Sequence, residues 1–312
     1  MRCRSLLLTA PRTLEWVDEE LQPLAPHEIL VRTTSGAISL GTELSRYRGS
    51  GRSELSTYPL MTGYENVGVI IECGSEVEGF DEGDRVLGTY GHRTHAILDA
   101  RRAIPVPDAI FDPIAILAIL SCDVEKGLRR IAPQPSESAL ITGAGTMGLL
   151  AVFMLRARGL TRIDVVDPLY ERRAAAIKLG ARHALSPDEA YVSEEQYTIG
   201  VECSDQDVGF HLLQTKLDRY GRICVLADGN LEPFTLLPEF HSKELMTFGS
   251  SDGWDYPAHA AWYFDYVRRT QPPLDALFDV RITPDQLPET FAALVDIGTL
   301  SAIKVLVDYA ES

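Results

Sequence analysis

The chain has 312 residues, 45% of them hydrophobic and 24% charged, enough to bury two cores and unlike a disordered or fibrous composition. Its 29 Lys and Arg against 45 Asp and Glu give a formal charge of −16, which repels a nucleic-acid backbone and an anionic lipid surface. Neither is expected as a partner.

The first residues, through Trp16, carry arginines and one short apolar run, with no small-residue cleavage site before Asp18-Glu19-Glu20. No secretory leader is expected, and a cytoplasmic location is. Through residue 107, apolar runs at 14–17, 28–33, 67–73, 84–88 and 96–98 alternate with turn residues, which predicts a β-rich first part. After Asp112-Pro113 the run 114–120 is too apolar for a surface helix, and 123–130 is more polar, so a helix buried at one end is expected. Beyond Pro133-Gln134-Pro135, strands at Ser138–Thr142, Arg162–Val166, 199–202, 222–226 and 245–248 alternate with helical stretches, among them 146–158 and 170–179. That rhythm belongs to a parallel sheet with crossover helices. The uncharged stretch 138–155 approaches the length of a membrane span, but its glycines and threonines read as strand, turn and helix start. From about residue 272 short elements return and end in a strand at 302–307. Five scattered cysteines, Cys3, Cys73, Cys122, Cys203 and Cys224, form no C-x-x-C pair and read as reduced thiols.

One motif carries chemistry. Gly143-Ala144-Gly145-Thr146-Met147-Gly148 fits G-x-G-x-x-G directly after a predicted strand and at the opening of a helix. There Gly143 permits the tight turn, Gly145 lets the backbone approach a pyrophosphate, and Gly148 lets the helix pack on the sheet. The N–H groups at the start of the helix, around Thr146 and Met147, bind the anion. The next strand ends in Asp167, 19 residues after Gly148, where a carboxylate accepts both hydroxyls of an adenosine ribose and repels a 2′-phosphate. NAD is therefore the expected cofactor. Arg172 and Arg173 follow closely and keep NADP open.

A dinucleotide motif preceded by a β-rich part resembles the medium-chain dehydrogenase/reductase superfamily, the alcohol dehydrogenase-like enzymes, over nearly the whole chain. Gly36 to Glu43 lies near the family's G-I-C-G-x-D segment, Gly63-Tyr64-Glu65-Asn66-Val67-Gly68 matches G-H-E-x-x-G, and Gly83-Asp84-Arg85-Val86 matches G-D-R-V. Val201 to Ser204, Gly221 to Val225, Lys243-Glu244-Leu245 and Lys304 to Val307 match later segments. The resemblance implies an α/β protein: a β-rich GroES-like catalytic domain of residues 1–120 and 274–312, and a doubly wound Rossmann domain of residues 121–273. It also implies a homodimer acting on a small-molecule substrate. Zinc-dependent members hold the metal with Cys, His and a third Cys or Glu. Here Ser39 stands near the first ligand position and Tyr64 replaces the His, while 88–99 lacks the cysteines of the structural zinc lobe. No zinc is expected. Gly41-Thr42-Glu43 with residues 58–65 is similar to the zinc-free bacteriochlorophyllide dehydrogenases, which would imply a bulky apolar substrate.

Without a metal, hydride transfer needs another proton donor or acceptor near the substrate oxygen. By its place in the family pattern Thr42 relays a proton or caps a helix beginning at Glu43, and Tyr64 binds the substrate oxygen or fills the vacated zinc volume. Glu65 orients Tyr64, ion-pairs with a nearby Arg or serves as a buried base. His92, in the cluster Tyr90-Gly91-His92-Arg93-Thr94-His95, offers a group that titrates near neutrality. It serves acid/base chemistry or sits in a loop or core. Cys203 and Ser204, at the end of the 199–202 strand, are expected against the cofactor. The aromatics from Trp254 to Tyr266 form a lid or pack in a core. The expected activity is zinc-independent hydride transfer between NAD(H) and an alcohol or carbonyl; the rivals are an NADPH-dependent enone or quinone reductase and a non-catalytic NAD-binding sensor.

Overall fold

The computed structural model describes residues 2–50, 57–227, 233–296 and 299–309. The chain divides into two compact units, one of Met1–Ala118, Pro257–Gln271 and Phe278–Ser312, the other of Ile119–Tyr256 and Pro272–Leu277.

In the first unit, β1 (Arg2–Ala10) and β2 (Thr13–Glu20) form an antiparallel hairpin. The strand β1 escaped the sequence reading because Arg2 and Arg4 break its apolar run; in the structure they point outward while Cys3 and Ser5 are buried. The central strand β3 (Glu28–Ile38) leads directly into α1 (Leu40–Arg48), which Gly49 ends in the left-handed conformation. Then follow β4 (Leu60–Met61), β5 (Asn66–Cys73), β6 (Arg85–Gly88), β7 (His95–Asp99) and β8 (Ile104–Pro105). Helix α2 (Asp112–Ile131) is buried on every side over residues 115–122, as expected, and on one face beyond, where Val124 and Leu128 are covered while Arg129 and Arg130 are exposed.

In the second unit the strands are β9 (Ser138–Thr142), β10 (Arg162–Val166), β11 (His183–Leu185), β12 (Tyr197–Glu202), β13 (Leu217–Val225) and β14 (Met246–Gly249). Between them lie α3 (Thr146–Ala157), α4 (Tyr170–Lys178), α5 (Pro187–Val192), α6 (Asp207–Lys216) and α7 (Pro238–Ser242). The six strands are all parallel in the order β11-β10-β9-β12-β13-β14. That is the 3-2-1-4-5-6 order of a Rossmann sheet, and it reverses between β9 and β12. Every residue of β9 is buried, as helices on both faces require. Leu140, Phe210, Leu213, Leu217 and Ile223 are the centre of one core cluster.

Helix α8 (Tyr256–Thr270) groups with the first unit from residue 257, whereas the sequence reading placed everything through 273 in the dinucleotide domain. The reason is packing: Ala260, Tyr263 and Phe264 are buried and the Tyr263 hydroxyl donates to the Ile114 carbonyl at 3.0 Å. These rings form a packed helix face, while Trp254 before the helix stays exposed. The chain then adds β15 (Phe278–Ile282), α9 (Leu287–Val295) and β16 (Lys304–Asp308). They complete a seven-stranded sheet in the order β15-β16-β3-β5-β6-β8 with β7 on β3, beside a small sheet β2-β1-β4. One core cluster gathers Leu6, Leu8, Ile38, Leu44, Phe291 and Val305, another Ile29, Val31, Ile70 and Val86. The architecture is a GroES-like β-rich domain plus a Rossmann domain, as the motifs imply. None of the five cysteines is paired, and among the described residues no helix is long and apolar enough to cross a membrane.

Candidate active site

In the second unit the Gly143–Gly148 loop lies at the carboxyl end of β9, where the strand order reverses, the place at which such sheets bind ligands. Gly143 has φ +87°, and a Cβ there would meet the Cys203 carbonyl oxygen at 2.6 Å. A Cβ on Gly148 would lie 1.8 Å from the Gly143 carbonyl oxygen, so the bend closes on the first turn of α3. Around Gly145, at the N-cap of α3, there is nothing within 4 Å of a Cβ position. This is an open cradle facing the N–H groups of Thr146 and Met147, and it fits a diphosphate.

Asp167 follows β10 and is 2% exposed. Its carboxylate does more than the sequence reading assigned to it: Oδ2 accepts from the Ala144 N–H and Oδ1 from the Leu169 N–H, both at 2.8 Å. The loop is thus tied to the end of the next strand, and each oxygen keeps one further lone pair. Arg172 comes within 3.9 Å of Oδ2, and Arg173 donates to the Asp167 and Pro168 carbonyls. Cys203 and Ser204 do reach the glycine loop, since both contact the vacant Cβ position of Gly143. Burial pushes the Cys203 thiol up, so it stays protonated. Lys126 donates to the Ser251 carbonyl at 2.6 Å, and Asp123 accepts from Tyr256.

In the first unit the structure joins Ser39, Thr42 and Tyr64. The Tyr64 and Ser39 hydroxyls share a short hydrogen bond, and Tyr64 Oη lies 3.5 Å from Thr42 Oγ1. Helix α1 starts at Leu40, not at Glu43, so Thr42 sits inside its first turn and is not a cap. Burial, then the nearby Glu65 charge, pushes the Tyr64 phenol well above its ordinary range. Tyr64 therefore keeps its proton and donates.

Two residues missed from the sequence hold this group. Glu43 is 3% exposed and accepts the Ser39 N–H at 2.8 Å and the Gly63 N–H at 2.9 Å, stapling the two segments that carry Ser39 and Tyr64. Lys304, from β16, donates to Glu65 Oε1 at 2.8 Å with both side chains fully buried. Burial pushes the Glu65 carboxyl up and Lys304 pulls it back down. Glu65 is thus a structural partner whose cation is a lysine. Of the places the sequence leaves open for His92, the structure gives the core one: its ring is wholly buried, with Nε2 3.1 Å from Glu43 Oε2 and its ring edge-on to that of Phe291. It is a core histidine supporting Glu43. Both motifs were in view, since Glu43 closes Gly41-Thr42-Glu43 and Lys304 opens Lys304-Val305-Leu306-Val307, but neither pattern names a partner.

The zinc that many members of the resembled family carry does not fit this donor set. Ser39, Thr42 and Tyr64 offer neutral hydroxyls, Glu65 is held by Lys304, and the imidazole is held by Glu43. Among the described residues no cluster of three or more His, Cys, Asp or Glu could hold a metal ion.

Residues 25–108 match the alcohol dehydrogenase GroES-like domain. L-threonine 3-dehydrogenase of Vibrio parahaemolyticus is 27% identical over 275 residues, covering 72% of this chain and 77% of that protein. A Sinorhizobium meliloti 1021 protein assigned to the zinc-binding dehydrogenases and bound to NADP superposes with a TM-score of 0.86 at 18% identity, covering 99% of this chain and 100% of that one. The 2R,3R-butanediol dehydrogenase of Bacillus subtilis superposes with a TM-score of 0.83 at 20% identity, over 98% and 99% of the two chains. Fold, glycine loop and matched domain are similar to those of the two-domain, alcohol dehydrogenase-like oxidoreductases.

Proposed function

We propose that the protein transfers a hydride between a nicotinamide dinucleotide, NAD in preference to NADP, and an alcohol or carbonyl carbon, without zinc. The observation that carries this reading is the Gly143–Gly148 cradle at the reversal point of the 3-2-1-4-5-6 sheet. Gly145, Thr146 and Met147 would hold the diphosphate, Asp167 the adenosine ribose, and Cys203 and Ser204 back the loop. The cofactor supplies the hydride chemistry. Tyr64 Oη donates a hydrogen bond to the substrate oxygen and, in carbonyl reduction, delivers its proton there; a proton from solvent returns to it through the Ser39 and Thr42 hydroxyls bonded to it.

The named relatives act on threonine and butanediol, which supports a small polar alcohol. The likeness to pigment enzymes, and the bulky apolar substrate it implied, gains no support from them. Solved relatives are named zinc-binding dehydrogenases; the zinc-free reading for this chain is supported by the hydroxyl donor set of Ser39, Thr42 and Tyr64. Homodimerisation belongs to the same proposal.

The test is to titrate metal-chelated protein with NADH and NADPH by nicotinamide fluorescence and then assay small secondary alcohols. NADH binding with turnover at under a tenth of an equivalent of zinc, a threshold of roughly one site in ten, is the expected result. Activity that returns only with a full zinc equivalent overturns the zinc-free reading. In Asp167→Ser the ratio of NADPH to NADH dissociation constants should fall by about tenfold, the worth of one hydrogen bond to a charged group. An unchanged ratio would remove Asp167 from the ribose site.

A further inference from the structure

Ser204 is wedged. Its Cα lies 2.8 Å from the vacant Cβ position of Gly143, and its Oγ lies 2.3 Å from that of Gly209 in α6. Only glycines at 143 and 209 admit it. Both its N–H, at 2.7 Å, and its hydroxyl donate to a single atom, Glu202 Oε1. Glu202 is the last residue of β12, is fully buried, and stands in register with Thr142, the last residue of β9. Its other oxygen, Oε2, is buried without a hydrogen-bond partner in the protein, and so is Thr142 Oγ1. A buried carboxylate with an idle oxygen, placed directly behind a loop built to take an anion, is electrostatically costly unless it can shed its charge.

Resting on the reading that the Gly143–Gly148 loop holds a nicotinamide dinucleotide, we infer that Glu202 is a proton-linked positioning residue for that loop, taking up a proton from solvent as the diphosphate binds. In the free protein, burial pushes Glu202 up to about 7, with the Ser204 hydrogen bonds opposing and the Asp205 charge assisting. An arriving diphosphate adds like charge and raises it further. The protonated Oε2 becomes a donor, and Thr142 Oγ1 is an acceptor on the adjoining strand. Oε1 continues to hold Ser204 in either state. The other titratable groups on the packed elements are Asp205 and Cys203 in the turn, Cys224 on β13, and the Asp207–His211 pair on α6, whose members are 3.3 Å apart. Burial pushes Cys224 up to about 12, so it keeps its proton through the relevant range.

The experiment measures the NADH dissociation constant between about pH 6 and pH 9, together with calorimetry in two buffers of different protonation enthalpy, a window that brackets ordinary His and raised carboxyl titrations. The wild-type protein should bind up to about tenfold more weakly at the alkaline end, since one unit of pKa displacement is a factor of ten. It should also take up protons on binding near neutrality. Glu202→Gln keeps an acceptor for Ser204 and should bind with a pH-independent constant at the tight end, without uptake. Should that variant not fold, Asp205→Asn serves instead: Asn tolerates the left-handed position of Asp205 (φ 61°), and losing the charge should move the wild-type inflection to lower pH. Proton uptake that persists in Glu202→Gln overturns the inference, as does a wild-type constant that ignores pH. Absence of NADH binding at every pH overturns the dinucleotide reading and this inference with it.

Discussion

Lys304→Met should destabilise the first unit by about 3–5 kcal/mol at neutral pH, because it strips the partner from a charge that has no route to water. Lys304 and Glu65 are both 0% exposed, and the ammonium is bonded to Oε1 while Oε2 already lacks a hydrogen-bond partner. Methionine fills most of the lysine volume, so the loss is electrostatic rather than a cavity effect. Glu65 also feels the like charge of Glu43, which pushes its carboxyl up, and without Lys304 little remains to pull it down. A carboxyl raised in the folded state leaves stability intact below its unfolded pKa and erodes it as pH rises through the folded one. The deficit of the variant relative to wild type should therefore shrink toward pH 5 and be largest at pH 8, values set on either side of a raised carboxyl. Urea unfolding at both values, followed by a first-unit probe such as Trp16 fluorescence, makes the comparison. A deficit below about 1 kcal/mol, or one equal at both pH values, would mean that the pair does not hold β16 to the Tyr64 segment. Adding Glu65→Gln should recover much of the loss, since the unpaired charge is then gone.

The Glu65–Lys304 pair also shows where sequence reasoning stops. Its members are 239 positions apart, and no periodicity links them. Glu43 and His92, 49 apart, are equally invisible as a pair, and so the sequence leaves His92 open between acid/base chemistry and a loop or core place, where the structure buries it. By contrast the dinucleotide domain was legible because its information is local: a strand, a glycine-rich turn and a helix start lie within about twenty residues, and the acidic residue follows at a fixed distance. Even there, Asp167 could be placed but not its commitment to the Ala144 and Leu169 N–H groups, which depends on how two strand ends abut. Strand limits failed where side-chain pattern and backbone pairing part company. The apolar pattern predicts a strand from Arg222, yet β13 begins at Leu217, across exposed Asp218, Arg219 and Tyr220.

Gly148→Ala and Gly145→Ala should separate the two duties of the glycine loop. At Gly148 the added methyl would overlap the Gly143 carbonyl oxygen at 1.8 Å, and the atom in the way is backbone, which no rotamer change relieves. The turn must open, β9 and α3 must part, and Ala144 must leave the Asp167 carboxylate to which it is bonded. A destabilisation of roughly 3 kcal/mol and a dinucleotide affinity lowered by at least about a hundredfold are expected. At Gly145 the methyl meets no atom within 4 Å, and the backbone there, φ −74° and ψ −170°, suits alanine. Its cost in stability should stay within about 0.5 kcal/mol, as for other unstrained surface positions. What it occupies is the cradle itself, so NADH binding should fall by about tenfold or more with the melting temperature unchanged. Thermal melts and NADH titrations on the two variants decide the matter. If Gly145→Ala binds NADH as the wild type does, the open flank at the start of α3 is not where the diphosphate sits. If Gly148→Ala melts normally, the closure of this loop is not what its missing side chain protects.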